Sequence, residues 1–158
     1  MSAVEVPNFG ELLSPYIGSV PEHAVPNFLA LLERGAADRY RYWAEQLPAF
    51  SEGLSVCAAS EDRIADIVEG LFPIAEDLAA EIAGPLPAAR QAYYAVFEPL
   101  TLKQQLQIQA AAELQGASAW EAMLVEGIPV SMREGLEQCM QLERESSAYL
   151  NSIIDQVE

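Results

Sequence analysis

The stretch that decides the fold is "CAASEDRIADIVEGLF", residues 57–72. Its apolar residues recur every three or four positions, which predicts one helix with a single apolar face. That face comprises Cys57, Ala58, Ile64, Ala65, Val68 and Phe72. Glu61 lies at the centre of the same face, although a buried carboxylate without a partner is strongly destabilising. The segment therefore predicts a core helix that carries an acidic group inward.

The same feature recurs in two further predicted helices. At about 100° per residue, Glu113 is central on the apolar face of a helix over 102–126, and Glu143 is central in the helix that follows. In a helix from about Pro26 to Leu47, Glu33 lies on one shoulder of the apolar face and Arg39 on the other. Several carboxylates in one core cannot all remain ionised, so metal ions, protons or a basic side chain must compensate their charge.

Prolines and capping residues set the predicted helix boundaries. The first long helix begins near Pro26 and stops before Pro48, and the second covers 51–72, before Pro73. Thr101 with Gln104 predicts a capping box for the third, over 102–126, and Ser131 with Glu134 predicts another for the fourth, which runs to about 156. Shorter helical stretches, "IAEDLAAEIA" and "AARQAYYAVFEPL", lie between the second and third.

No segment alternates with the period of a strand, so the sequence predicts an all-α protein. Four long helices with a long helical crossover between the second and third predict a four-helix bundle. Residues 1–25 contain Pro7, Gly10, Pro15 and Gly18, and are expected to form an irregular N-terminal arm. Residues 26–158 are expected to form a single bundle domain.

Composition limits the partners. The net charge is −16, with 24 acidic against 8 basic residues, which argues against nucleic acids and anionic membranes. A cation or a basic protein partner suits this charge. The N-terminus lacks the basic and apolar regions of a secretory signal. No stretch long enough to span a membrane is apolar. Cys57 and Cys139, the two cysteines, lie on apolar faces of predicted helices. We therefore expect buried free thiols and a cytoplasmic protein.

Over about residues 26–156 the arrangement resembles the ferritin-like superfamily, the carboxylate-bridged di-iron four-helix bundles. In that family the first helix supplies a Glu with a Tyr seven residues later, the second and fourth supply Glu-x-x-His, and the third supplies a lone Glu. Glu33 and Tyr40 match the first spacing, and the separations between the four glutamates are 28, 52 and 30 residues, in the same short, long, short order. The resemblance implies four metal ligands, with Arg39 and Tyr40 beside them: Glu33, Glu61, Glu113 and Glu143.

The sequence departs from that family at both histidine positions, which hold Ile64 and Ser146. The single histidine, His23, precedes the first long helix and is expected to be an exposed or capping residue. An all-oxygen site can hold Mg²⁺, Mn²⁺ or Ca²⁺, but holds iron less selectively. The resemblance thus implies a degenerate di-iron site, with either no cofactor or a divalent metal such as iron or manganese.

Three interpretations of the acidic layer stay open. It is a metal-free polar core in which Arg39 pairs with Glu61 or Glu113, a carboxylate-only metal site, or a set of glutamates that reach the edges of the bundle. Three functions also stay open: a non-catalytic binding or accessory module, a carboxylate-ligated metal-binding protein or oxidoreductase, and a small-molecule binder with a pocket near the glutamates. For the first, the crossover residues Tyr93, Tyr94 and Phe97 or a homodimer interface are candidate contact surfaces.

Overall fold

A computed structural model describes residues 4–158, and helices are the only regular secondary structure within that range. The α-helices, in chain order, are α1 (Phe9–Ile17), α2 (Val25–Gln46), α3 (Ser51–Leu71), α4 (Glu76–Ile82), α5 (Leu86–Phe97), α6 (Leu102–Glu121) and α7 (Val130–Ile153). Short 3-10 turns cover Glu22–Ala24, Pro48–Phe50 and Ile154–Gln156. None of the helices in residues 4–158 combines the length and the hydropathy that crossing a membrane requires.

The four long helices build the core. Helix α2 packs along α3, α6 packs along α7, and α3 packs against α7. Hydrogen bonds from Tyr40 to Glu113 and from Trp43 to Gln105 show that α2 and α6 run in opposite directions. Helices α4 and α5 form the connection between α3 and α6, and α5 packs against both α1 and α2. The prediction of an all-α protein is confirmed.

The apolar core is divided into clusters, and the acidic layer lies where two of them meet. One large cluster contains Tyr40, Trp43, Leu54, Phe97, Leu106 and Leu150. A second contains Ile64, Val68, Trp120, Leu136 and Cys139. On each of α3, α6 and α7, a buried glutamate separates the residues of the first cluster from those of the second. The polar layer therefore interrupts the dry interior about half-way along the long helices.

Most predicted boundaries agree with the structure to within a few residues, and the exceptions have local causes. The capping box at Thr101 is confirmed, with Gln104 N–H donating to Thr101 Oγ1 at 3.2 Å and Thr101 N–H to Gln104 Oε1 at 3.0 Å. The second capping box is wrong, because α7 begins at Val130, two residues before the start that an N-cap at Ser131 predicts, and no side chain caps it. Helix α6 ends at Glu121 rather than 126, ahead of a turn in which Gly127 has a φ of 86°.

The prediction of an irregular N-terminal arm is wrong for residues 9–17, which form α1; residues 1–3 of that arm lie outside the described chain. Asn8 caps the helix by accepting the N–H of Glu11 at 3.0 Å. Pro15 is tolerated inside α1 because the Ser14 hydroxyl donates to the Glu11 carbonyl at 2.9 Å, the acceptor that a proline N–H cannot reach. Helix α1 packs against α5, α2 and α6.

Candidate metal centre

Three glutamates from three helices bring their carboxylates together in the core. Glu33 on α2, Glu61 on α3 and Glu143 on α7 each place one oxygen within 4.8 Å of the others. Glu61 and Glu143 are buried, whereas Glu33 is partly exposed. Oxygens on opposite sides of one hard cation are about 4–5 Å apart. The spacing of the three carboxylates is therefore compatible with a single ion shared among them.

The fourth glutamate, Glu113, is buried and held by hydrogen-bond donors from the protein. Its Oε1 accepts the Tyr40 hydroxyl at 2.6 Å and the Gln109 side-chain amide at 2.9 Å. The Tyr93 hydroxyl in turn donates to Gln109 Oε1 at 2.6 Å. Glu113 is thus fixed in orientation by side chains from α2, α5 and its own helix.

The other two buried glutamates lack such donors. Within residues 4–158, nothing donates a hydrogen bond to either oxygen of Glu61 or to Oε1 of Glu143, and all three atoms are shielded from solvent. Buried carboxylate oxygens in native proteins are normally partnered. The oxygens must therefore share protons with one another or bind something that the protein chain itself does not supply.

Burial and mutual repulsion change how the four carboxyl groups titrate. Burial raises the pKa of Glu113 to about 7, although hydrogen bonding with Glu61, Tyr40 and Gln109 opposes the change. Burial, followed by the charges of the neighbouring glutamates, raises the pKa of both Glu61 and Glu143 well above the usual range. Burial also raises the pKa of Glu33. A cation at the centre would displace the protons that the metal-free cluster retains.

Histidines and thiols supply no nitrogen or sulfur ligand to the cluster. Ile64 and Ser146 are buried at the two positions where the ferritin-like pattern has histidine. His23 lies exposed in the turn before α2. Cys57 and Cys139 are free and buried, as expected from the sequence, and burial raises the pKa of each thiol to about 12. The candidate donor set therefore consists of oxygens.

Arg39 does not neutralise the glutamates. Its guanidinium Nη2 donates to Gln105 Oε1 at 2.8 Å, and its Cζ lies 4.3 Å from the centre of the Tyr42 ring. In the part of the chain that the structure describes, Arg39 forms no ion pair with Glu61 or Glu113. The interpretation that placed Arg39 as their partner is therefore not supported.

Two residues of the site were missed from the sequence. Gln109 orients Glu113, and Gly116 leaves the space that the Glu143 carboxylate occupies, since a Cβ at position 116 would collide with Glu143 Oε2. Both lie on the face of α6 that carries Glu113, four residues before it and three residues after it. That spacing was the available signal, and it would have identified both.

A pocket of about 290 Å³, partly open to the surface, lies beside the carboxylates and is lined mainly by α1, α2, α5 and α6. All four glutamates belong to its lining, together with Gln109, Tyr93, Arg90 and Trp120. Aliphatic side chains make up much of the remaining wall. The arrangement joins an oxygen-only ligand set to an apolar compartment large enough for a small molecule.

No protein-family model matches the chain, and no match is found among curated proteins or among solved structures. The function is therefore argued from the geometry of the carboxylate cluster and its cavity. Chemically, these residues can bind a hard cation, hold or release protons at the carboxyl groups, and exclude water on the apolar side.

Proposed function

We propose that the protein binds a divalent metal ion through Glu33, Glu61 and Glu143. The observation that carries the proposal is the set of buried oxygens without a donor, both of Glu61 and Oε1 of Glu143. The same core supplies two donors to Glu113. A chain that satisfies one buried carboxylate and leaves its neighbours without donors is typical of a site whose missing partner is a cation.

The donor chemistry favours hard ions. Carboxylate oxygens suit Mg²⁺, Ca²⁺ and Mn²⁺, and the lack of nitrogen ligands weakens selectivity for iron. When bound, a divalent ion would act as a Lewis acid next to the cavity, and manganese or iron would add redox chemistry. Glu33, Glu61 and Glu143 would hold the ion, and Glu113, oriented by Tyr40 and Gln109, would adjust the charge beside it by taking up or releasing a proton.

As part of this proposal, α2, α3, α6 and α7 form a ferritin-like four-helix bundle in which α4 and α5 provide the crossover. The pairing of α2 with α3 and of α6 with α7 supports it. So does Tyr40, seven residues after Glu33, whose hydroxyl donates to Glu113 across the core. The site is a degenerate form of the di-iron centre, with Ile64 and Ser146 at the histidine positions.

The proposal is tested by titrating chelator-treated protein with Mn²⁺ and following the electron paramagnetic resonance of the free ion. We expect one tight site per chain and a higher melting temperature on loading. Glu61→Gln and Glu143→Gln preserve shape but remove charge, and each should weaken Mn²⁺ binding by about tenfold or more. Glu137→Gln, on the exposed side of α7, is the matched control and should leave binding unchanged.

Equal Mn²⁺ binding by the wild type and by Glu61→Gln would place the ion elsewhere and contradict the proposal. If neither Mn²⁺, Mg²⁺ nor Ca²⁺ binds, the cluster is a proton-sharing polar layer. The alternative function, a non-catalytic accessory module, would then be favoured. Its contacts would be sought on the acidic exterior and around Tyr94, which is only half-buried.

A further inference from the structure

The cavity beside the carboxylates is elongated along two antiparallel helices. On α2 its lining extends from Val25 to Ala36, a distance of about 16 Å at 1.5 Å per residue. On α6 it extends from Gln109 to Trp120. Helix α1 contributes Phe9, Gly10, Leu13 and Ile17 to the wall. A ligand that fills such a space is long and narrow rather than round.

One part of the cavity is aliphatic. Leu13 and Ile17 of α1 face Val25, Leu29 and Leu32 of α2 in the lining, and these side chains are only partly buried. The volume of about 290 Å³ is roughly twice the 150 Å³ of an apolar cavity that accommodates benzene. An unbranched chain of about ten carbons therefore matches both the length and the volume.

The polar groups that lack partners identify the head of such a ligand. Trp120 is 1% exposed, and its indole N–H has no acceptor among residues 4–158. Glu143 Oε1 has no donor, and the carboxylate of Glu143 lies against Gly116, which is one turn from Trp120 on the same face of α6. A hydroxyl group can accept from the indole and donate to the carboxylate at once, and a carboxylate that binds an ion still has lone pairs left to accept that hydrogen bond.

The charges of the glutamates disfavour a charged head group on the ligand. A carboxylate head beside the four glutamates would be repelled by them. Arg90 is the one basic residue that lines this cavity in the described chain, and its Nη2 donates to the Leu31 carbonyl at 3.1 Å. The buried Arg90 Nε has no acceptor within residues 4–158, so it is the place where an anionic head would bind instead. An ammonium head would compete with a cation for the same oxygens. A neutral head is compatible with a cluster whose charge is already balanced.

We propose that the cavity binds an uncharged, unbranched aliphatic alcohol of about ten carbons, with its hydroxyl group at Glu143 and Trp120 and its chain beneath α1. The neutral charge of the head rests on the proposed metal site, because the ion, together with the protons that the cluster retains, balances the carboxylates. The fit of the ten-carbon alkyl chain of the alcohol depends only on the aliphatic part of the cavity wall.

The test uses the Mn²⁺-loaded full chain and 1-decanol as the probe. We expect one molecule to bind and the melting temperature to rise by about 3–5 °C at roughly ten times the dissociation constant. Leu29→Trp fills the aliphatic part and should weaken decanol binding by about tenfold or more while leaving Mn²⁺ binding intact. Val56→Trp, at an exposed site on α3, is the control for adding the same ring and should bind decanol normally.

Orientation is read from the proton relaxation of bound decanol. Mn²⁺ at the glutamates should relax the protons beside the hydroxyl more than those of the terminal methyl group. The opposite order, unchanged decanol affinity in a Leu29→Trp variant that still binds Mn²⁺, or tighter binding of decanoate or decylamine than of decanol, would overturn the proposal. A decanoate preference would place the head at Arg90.

The two proposals fail separately. If Mn²⁺ does not bind but decanol does, and Leu29→Trp abolishes its binding, the metal proposal fails and the aliphatic site stands. If Mn²⁺ binds as expected and decanol does not, the metal proposal stands and this inference is overturned.

Discussion

Two buried polar side chains in this core, Gln105 and Glu61, have opposite surroundings. Gln105 Oε1 accepts from both Arg39 and Trp43 at 2.8 Å, and its Nε2 donates to the carbonyls of Phe97 and Leu100 at 3.2 and 3.0 Å. Glu61 is 1% exposed and has no donor to either oxygen in residues 4–158. The contrast shows that this protein can satisfy a buried polar group completely. The oxygens of Glu61 must therefore share protons with neighbouring carboxyl groups or bind a group that the protein does not supply.

The largest effect is expected from a substitution of Gln105, the side chain whose polar atoms all have hydrogen-bond partners. Gln105→Leu removes four hydrogen bonds and leaves donors and carbonyls unpaired in a buried region. We expect the free energy of unfolding to fall by about 3–5 kcal/mol, measured by urea denaturation.

The matching substitution of Glu61, whose oxygens have no donor, should not lower the free energy of unfolding. Glu61→Leu removes a buried carboxyl group that has no donor, so the metal-free protein should be unchanged or more stable by about 1–3 kcal/mol. If Glu61→Leu destabilises the chelator-treated protein as much as Gln105→Leu does, Glu61 has a partner in the protein and the comparison is wrong.

The pH dependence of stability sharpens the comparison. The expected change in the free energy of unfolding is similar in size to the change expected for Glu61→Leu. The pKa of Glu113 is raised from 4.5 to about 7, so the folded protein holds this proton more tightly than the unfolded chain does. Its contribution is complete below pH about 4.5 and is lost as pH rises through about 7, which amounts to about 3 kcal/mol by pH 8. Glu33, Glu61 and Glu143, with pKa values raised by burial, act in the same direction.

Urea denaturation in chelator at several pH values measures this loss. In Glu113→Gln the side chain has no proton to release, so the free energy of unfolding should decline less steeply with pH than in the wild type. The difference between the two declines distinguishes the contribution of Glu113 from that of charge repulsion on the acidic surface. Added Mn²⁺ should stabilise more as pH rises, because the ion binds the deprotonated carboxylates. Identical declines for wild type and Glu113→Gln would contradict the assignment.

The smallest effect concerns the space around the third carboxylate. In Gly116→Ala the new methyl group collides with Glu143 Oε2 and must displace that carboxylate. We expect Mn²⁺ affinity to fall about tenfold, equivalent to about 1.4 kcal/mol, as measured by isothermal titration calorimetry.

Gly70→Ala on α3 is the matched control, because a Cβ at position 70 meets no neighbour. It should leave Mn²⁺ affinity unchanged and stabilise the helix by about 0.5–1 kcal/mol. Equal affinities for the two alanine variants would show that Glu143 does not need its observed position to bind the ion.

The periodicity of apolar residues was sufficient to predict the long helices and to place Glu61, Glu113 and Glu143 in the interior. Helix α1 was missed because Pro15 indicates a break, and the compensating Ser14 hydroxyl is visible only in three dimensions. Arg39 was placed correctly on a shoulder of α2, but its partner, Gln105, is 66 residues away and no local pattern indicates it. The cavity depends on how α1 lies over α2 and α6, which periodicity cannot determine.

The acidic layer lies between two of the apolar clusters, so most of the packing that stabilises the helices lies on either side of the candidate site. Each of the two clusters that flank the layer contains a buried tryptophan, Trp43 in one and Trp120 in the other. We therefore expect the helices to stay folded when the proposed ion is gained or lost.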